Sequence, residues 1–432
     1  MSRTEKLRVA GILAVAYALF LSYAYPGFLS IDSGQQLLEA RAHVYSDWHP
    51  PAMAWLWGVC EHLIQGPLLM LLLQSIAFLA GLFLVLRRAL APTWAAIVAA
   101  VIFLFPPVIA PMAVIWKDSQ MAGYLMLGFA LLFEGTRARV IGILLMSLAC
   151  AMRHNAPGAV LPLLFVLDGP ARRIWRVAVI AGVFAVIVIS STALNKHLTD
   201  KPAYQWHVSI APYDIAGIMH FGRFFSDEEM NRELVGTPLA RTDHIAYKAR
   251  TNGYSTRTWW DSLNGEGRVF FWPETDQQRD ALARSWKHMV LANKWPYLHH
   301  RLAVFASTIG LDGEPLFGPV WFNDPPDDYI KAANLERVAP RQTAIGEALV
   351  WIATHTIWFY PWLYLAFAVV FVPLARKHLD ILALYLSGIM YELTLLPFST
   401  ADNRYSHWLT VTTLVATIML VRRRSRPARP AS

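Results

Sequence analysis

PLLMLLLQSIAFLAGLFLVL, from Pro67 to Leu86, is a run of twenty residues without a charge. A helix of that length reaches ~30 Å, the thickness of a bilayer's hydrocarbon core. A second stretch, PTWAAIVAAVIFLFPPVIA from Pro92 to Ala110, is also uncharged. The whole chain agrees with these two runs. Its 432 residues are 56% hydrophobic and 16% charged, with 17 tryptophans, more apolar surface than a single soluble core takes up. The fold class that follows is an all-α polytopic membrane protein.

Working outward, apolar segments fall at Leu7–Tyr25, Val140–Ala151, Ala156–Leu167, Ile174–Leu194, Gly346–Ala375, Leu379–Phe398 and Tyr405–Val421, with a more polar one at Ser119–Glu134. Together these predict about ten transmembrane helices with both termini cytoplasmic. The net charge of +8 and pI near 9.4 are then topology and not a nucleic-acid surface. Inner segments hold Arg3, Lys6, Arg8, Arg87, Arg88, Arg137, Arg139, Arg172, Arg173, Arg176, Arg376, Lys377 and the terminal RRRSRPAR. Short outer loops hold only Arg41, Lys117, Arg153 and Arg404, the bias the positive-inside rule describes. The first apolar run is long enough to remain as a span, although Ser22-Tyr23-Ala24 loosely fits a cleavage site. Cys60 and Cys150 are the two cysteines, and neither a disulfide framework nor a metal motif is expected from them. No internal repeat is visible.

The division expected is a membrane domain over 1–195 containing a long first outer loop at 26–66, an extracytoplasmic, mixed or mainly helical domain over 196–342, three carboxyl-terminal helices over 343–421 and a basic tail over 422–432. In the first loop, AMAWLWGVCEHLIQ is too short to span and suits an interfacial helix. Pro50 and Pro51 start it, since proline is tolerated in a first helical turn and holds the residue before it extended. The 196–342 region is rich in turn signals such as NGYS, LNGEG and NDPPDD. Its apolar stretch Leu302–Leu311 reads as core or interface. Trp206, Trp259, Trp260, Trp272 and Trp286 read as core, with a sugar-binding surface as the other use of such residues.

With this topology the polar clusters gather on one face: Asp32, Asp47 and His49 in the first loop, Lys117 and Asp118 in the second, Arg153 and His154 at a hairpin tip, and Arg404 before the last span. Charges at span ends are costly to desolvate, so their recurrence points to a shared site. Taken singly, each reads equally well as an ordinary interfacial residue.

FLSIDSGQQ at 28–36, followed by DWHPP and an interfacial helix, resembles the first outer loop of the GT-C superfamily of membrane glycosyltransferases. The likeness extends to WKDS in the second outer loop, AMRHNA, and DNRYSHW near the last span. It is nearest to bacterial members that use a polyprenyl-phosphate sugar, the protein-mannosyltransferase-like and O-antigen-glucosyltransferase-like groups. It covers the membrane half and not residues 195–342, and a soluble domain ahead of the last three spans departs from members that carry it at the carboxyl end, which leaves the acceptor open.

The resemblance implies that Asp32 is the catalytic carboxylate, in an inner membrane with the site facing the periplasm. A sugar on a lipid phosphate has a good leaving group, so such a reaction needs a base for the acceptor hydroxyl and positive charge for the departing phosphate. Asp32 as sole base implies inversion; its other reading is a helix cap. Arg404 is the expected clamp on the lipid phosphate, or else a partner of Asp402. Lys117, Arg153 and His154 are further cationic candidates. Asp47 and His49 are placed to meet a phosphate or sugar hydroxyl, with Trp48 a stacking face. Asp118 would orient the acceptor, or join Asp32 in holding a divalent ion, Mg or Mn, if a metal takes part; its other readings are a pair with Lys117 or a turn cap. Partners are then the polyprenyl-phosphate sugar, membrane lipid and a glycan, lipid or protein acceptor. A transporter or flippase of lipid-linked sugars, or an envelope scaffold, are the rival functions; the first would spread polar residues along the spans.

Overall fold

The structure is a computed structural model and describes residues 1–167, 173–200, 207–241, 244–251, 254–258, 271–322, 331, 338–397 and 400–425. Among these residues the regular elements are all helices, with an isolated bridge between Phe28 and Val114. The first half of the chain forms α1 (Arg3–Ala24), α2 (Ile31–Ala42), α3 (Pro51–Glu61), α4 (Leu68–Leu86), α5 (Pro92–Phe103), α6 (Pro106–Met112), α7 (Lys117–Leu131), α8 (Thr136–Met152), α9 (Ala156–Leu163) and α10 (Arg173–Leu198).

Among the described residues α1, α4 and Ile174–Leu198 of α10 are long and apolar enough to cross a membrane. The run 92–110, expected as one span, is two helices, α5 and α6, bent by 70°. The break falls at Pro106-Pro107, where proline removes a backbone donor and pushes the preceding residue out of helical geometry. α6 ends at Met112, and buried Gln74 on α4 donates to two carbonyls left free there, those of Met112 (2.8 Å) and Val114 (2.9 Å). Gln74 in turn accepts from Gln120 of α7 at 3.0 Å. A polar pair in an apolar bundle thus satisfies backbone that lipid could not.

α4 and α7 pack closely because glycines face each helix. A Cβ on Gly81 would lie 2.5 Å from the Leu127 amide, and one on Gly123 would lie 2.5 Å from the Gln74 carbonyl. Small residues at such contacts let backbones approach.

The 196–342 region has a second hydrophobic core. It is built on α11 (His207–Phe221), α12 (Asp227–Glu233), α13 (Ile245–Thr251), α14 (Asp276–Ala292) and α15 (Lys294–Ile309), with Ile215, Met219, Leu234, Leu282 and Met289 inside. Buried Asp214 ties three of these helices together, pairing with Arg301 at 2.6 Å and accepting from the Trp286 indole at 2.7 Å. Trp272 and Trp286 pack against this core as expected, while Trp206, Trp259 and Trp260 lie outside the described residues. Leu302–Leu311 falls largely in α15, where Val304 and Ile309 are buried and Leu302 and Leu311 are exposed, so the stretch is part core and part surface.

The carboxyl-terminal part comprises α16 (Pro340–His355), α17 (Pro361–Ala375), α18 (Leu379–Leu393) and α19 (His407–Arg424). Gly346–Ala375, expected as one span, is therefore two helices. Pro361 restarts the chain as the first residue of α17, after Thr356 and Tyr360 have left helical geometry.

Candidate functional site

Ser30 starts α2. Its hydroxyl accepts from the Ser33 amide at 3.4 Å while the Ser33 hydroxyl accepts from the Ser30 amide at 3.0 Å, a reciprocal capping box. Asp32 is therefore not spent as a cap. It lies in the first turn with its carboxylate about a third exposed (30%). The loop before it is pinned to the second outer loop: Phe28 donates to the Ala113 carbonyl and accepts from the Ile115 amide, both at 3.0 Å, and the Trp116 indole donates to Ser30 at 2.8 Å. These bonds bring Asp32 to the start of α7.

Arg404 arrives from the other end of the chain. It sits in a short 3-10 turn, Asn403–Ser406, whose cap is Asp402. One side of its guanidinium donates to Asp32 Oδ2 at 2.7 Å, and its Nε lies 2.8 Å from Asp402 Oδ2. Its guanidinium carbon also lies over the Trp116 ring, 4.7 Å from the ring centre, and 5.4 Å from that of Tyr405. Asn403 fixes the turn by donating from its amide nitrogen to the Phe359 carbonyl at 2.9 Å.

His49 completes a chain of groups on the far side of Asp32. It is buried in front of Pro50, whose successor Pro51 opens α3 as expected, and Asn195 of α10 accepts from the Ala52 amide at 3.2 Å. Lys117 donates to His49 Nδ1 at 2.7 Å. An ammonium can only donate, so Nδ1 accepts and the proton of the neutral ring sits on Nε2, facing Asp32 Oδ1 at 3.8 Å.

The electrostatics follow from this packing. Burial would raise the Asp32 carboxyl, but the Arg404 charge, with His49 and Lys117 behind it, holds it well below the usual carboxylate range. Burial, then the Lys117 charge, pushes His49 down to about 3. Asp402 shares Arg404 with Asp32 yet moves the other way: burial pushes it up to about 6 against the pull of the guanidinium. Two carboxylates on one cation are thus set apart.

Below this layer Asp118 and Arg153 form a separate, buried ion pair at 3.0 Å. Tyr391 donates to Asp118 at 3.5 Å, and the Arg153 guanidinium stacks over Tyr405 at 4.5 Å. Asp118 thus pairs with Arg153 in place of its neighbour Lys117. His154 is exposed next to Arg153, within electrostatic reach of Lys117 and Asp47. Trp48 meets Trp272 edge-on at 5.3 Å, so a residue of the 196–342 region reaches over the first loop. Among the described residues no three metal-ligating side chains come together. Both oxygens of Asp118 face Arg153 and Tyr391, and those of Asp32 face Arg404 and His49.

Sequence reasoning named most of these residues; Trp116 and Ser30 stood inside the quoted WKDS and FLSIDSGQQ without a role, and Tyr391 was missed. Ser30 stands three residues before Ser33 in cap spacing. Tyr391 has no signal, being one aromatic in an apolar segment. Beside Arg404 a narrow cavity opens between Trp116, Pro319, Phe359 and His407.

No protein-family model matches the chain, and no curated protein does. Among solved structures, the archaeal oligosaccharyltransferase AglB from Archaeoglobus fulgidus, in complex with an inhibitory peptide and a dolichol-phosphate, is similar with a TM-score of 0.40 and 11% identity. The alignment covers 100% of this chain and 53% of that one, so the chain spans about half its length.

Proposed function

We propose that this protein is a membrane glycosyltransferase of the GT-C type that moves a sugar from a polyprenyl-phosphate donor to an acceptor hydroxyl. The observation that carries the reading is the contact of Asp32 with Arg404: a partly exposed carboxylate and a guanidinium 2.7 Å apart, brought from opposite ends of the chain. The sequence likeness of the surrounding loops supports it.

In the resting protein Arg404 makes Asp32 a weak base. A lipid phosphate entering beside Arg404 would draw its donors away from Asp32, raising the carboxylate's proton affinity just as donor and acceptor are in place. Asp32 then takes the acceptor's hydroxyl proton, the acceptor oxygen forms its bond to the anomeric carbon, and the lipid phosphate leaves with the electrons of the bond it held. Arg404 neutralises that phosphate, and Lys117 and His49 supply further donors. One displacement inverts the anomeric centre. Asp118 and Arg153, buried on each other, act as support for this layer; a Mg or Mn ion shared by Asp32 and Asp118 would require that pair to open.

The topology that goes with this function has about ten spans, both termini in the cytoplasm of a bacterial cell and the site on the periplasmic side of the inner membrane. The helices of 196–342, with Trp272 over Trp48, form the roof under which an acceptor enters.

The same contact favours one other reading, a clamp between the first outer loop and the last helix in a non-catalytic scaffold. Transfer of labelled sugar from envelope lipid carriers by wild type and Asp32→Asn, at matched membrane levels, separates the two. Loss of transfer with the variant still folded supports the enzyme; transfer unchanged by the substitution, or absent from both proteins, rejects it.

A further inference from the structure

At the opposite end of α2 from Asp32, about 14 Å along the helix, the surface opens into a cavity of about 340 Å³ lined by Arg41, His43, Gly58, Glu61, His62 and Gln65. We propose that this cavity binds a phosphate group carried by an anionic phospholipid. The proposal is independent of glycosyl transfer.

Arg41 is built to hold an anion. Its Nε donates to Glu61 Oε2 at 2.7 Å, and the other oxygen of Glu61 accepts from the Gly66 amide at 2.5 Å. Glu61 is thereby used up in fixing Arg41 and closing the loop that follows α3. Of the guanidinium, Nη2 is buried and has no hydrogen-bond partner within the protein. A buried guanidinium nitrogen without an acceptor is unfavourable until an anion supplies one.

Two histidines stand at the cavity mouth, His43 and His62, with rings stacked 6.0 Å apart and tilted by only 14°. His43 closes α2 with φ of 50°, a left-handed conformation that side chains other than glycine adopt infrequently. The turn it makes brings its ring opposite that of His62 and adds N–H donors beside Arg41. Gly58 lets α3 lie close to α2 here, since a Cβ at that position would meet the Ala40 carbonyl at 3.2 Å.

The surroundings indicate a lipid as the carrier of the phosphate. Trp55, Val59 and Leu63 lie at helical spacing along α3 and its end and are 39%, 45% and 78% exposed, with Ile64 beside them. Such a stripe on an interfacial helix meets acyl chains, and the cavity opens at its carboxyl end, at headgroup depth. One molecule can satisfy both: chains along the stripe and the phosphate on Arg41.

The test uses the full chain in detergent micelles, with native mass spectrometry and phosphatidylglycerol, phosphatidylcholine or inorganic phosphate as probes. Wild type is expected to retain one phosphatidylglycerol in preference to phosphatidylcholine, with affinity falling at least about tenfold in Arg41→Gln, as loss of a charge-assisted hydrogen bond predicts. His62→Ala leaves the Arg41–Glu61 pair in place, so weaker binding in that variant cannot come from an opened loop. Inorganic phosphate bound in place of the lipid would keep the anion site but overturn the lipid assignment. Equal retention of all probes by wild type and both variants would overturn the proposal.

Discussion

Arg404 serves two carboxylates at once, and a lysine could not. The guanidinium reaches Asp32 with Nη2 and Asp402 with Nε while sitting over the Trp116 ring. Arg404→Lys keeps the charge and loses that fork, so transfer is expected to fall on the order of 10²-fold, as when one preorganised donor is removed, with the protein still folded. His49 makes a prediction about stability. Its pKa falls from the ordinary value near 6.5 to about 3 on folding, so the folded state resists protonation that the unfolded state accepts. Stability is therefore present above pH ~6.5 and is lost as pH falls from there toward the folded value. The melting midpoint of purified protein should drop across that window, and His49→Gln should flatten the drop. For Asp118 the expectation is purely structural. Asp118→Ala leaves Arg153 as a buried, unpaired charge, at a loss of about 3–5 kcal/mol. Denaturation should find this variant far less stable than Arg153→Met/Asp118→Leu, in which no charge is stranded.

At the scale of helices, prolines and glycines set the geometry. Pro106-Pro107 bends a run that hydropathy alone reads as continuous, and Pro361 starts a new helix within another. These three prolines are plain in the sequence. What hydropathy lacks is the means of satisfying the backbone where α6 ends, here the Gln74 side chain 38 residues from Met112. The glycines are the reverse case: nothing in the sequence marks Gly81 and Gly123 as sites of close approach until α4 and α7 are placed together. Gly81→Ala would set a methyl group 2.5 Å from the Leu127 amide. The helices must then separate, which should destabilise the protein by about 1–3 kcal/mol, read as a lowered melting midpoint in detergent. Gly182→Ala, with open space around its position, is the control and should change little.

For the whole molecule, the arrangement rests on two cores: one among the membrane helices and one in the 196–342 region, with Trp48 on Trp272 as a contact between the two parts. The proposed topology assigns a side to each. Cys60 and Cys150 are buried, so single introduced cysteines report accessibility without strong background. Asp276→Cys, at the start of α14, should react with an impermeant maleimide in intact spheroplasts, and Arg376→Cys, after α17, only once the membrane is opened. The opposite pattern would invert the proposed orientation and move the Asp32 site to the cytoplasmic side.

The sequence by itself determined that the chain belongs in a membrane, because uncharged runs of bilayer length have few other uses. It also marked Asp32, His49, Lys117 and Arg404, since charges at the ends of apolar segments stand out against their surroundings. Which of them meet was decided only by the tertiary structure. Asp32 and Arg404 are 372 residues apart, and their contact depends on the first loop pairing with the second at Phe28 and on a turn held by Asn403. Tertiary packing also sorted the charges into two layers, a partly exposed one around Asp32 and a buried one of Asp118 with Arg153. Local sequence could not make that division, because whether a charge is used on a ligand or on another side chain depends on what distant helices place beside it.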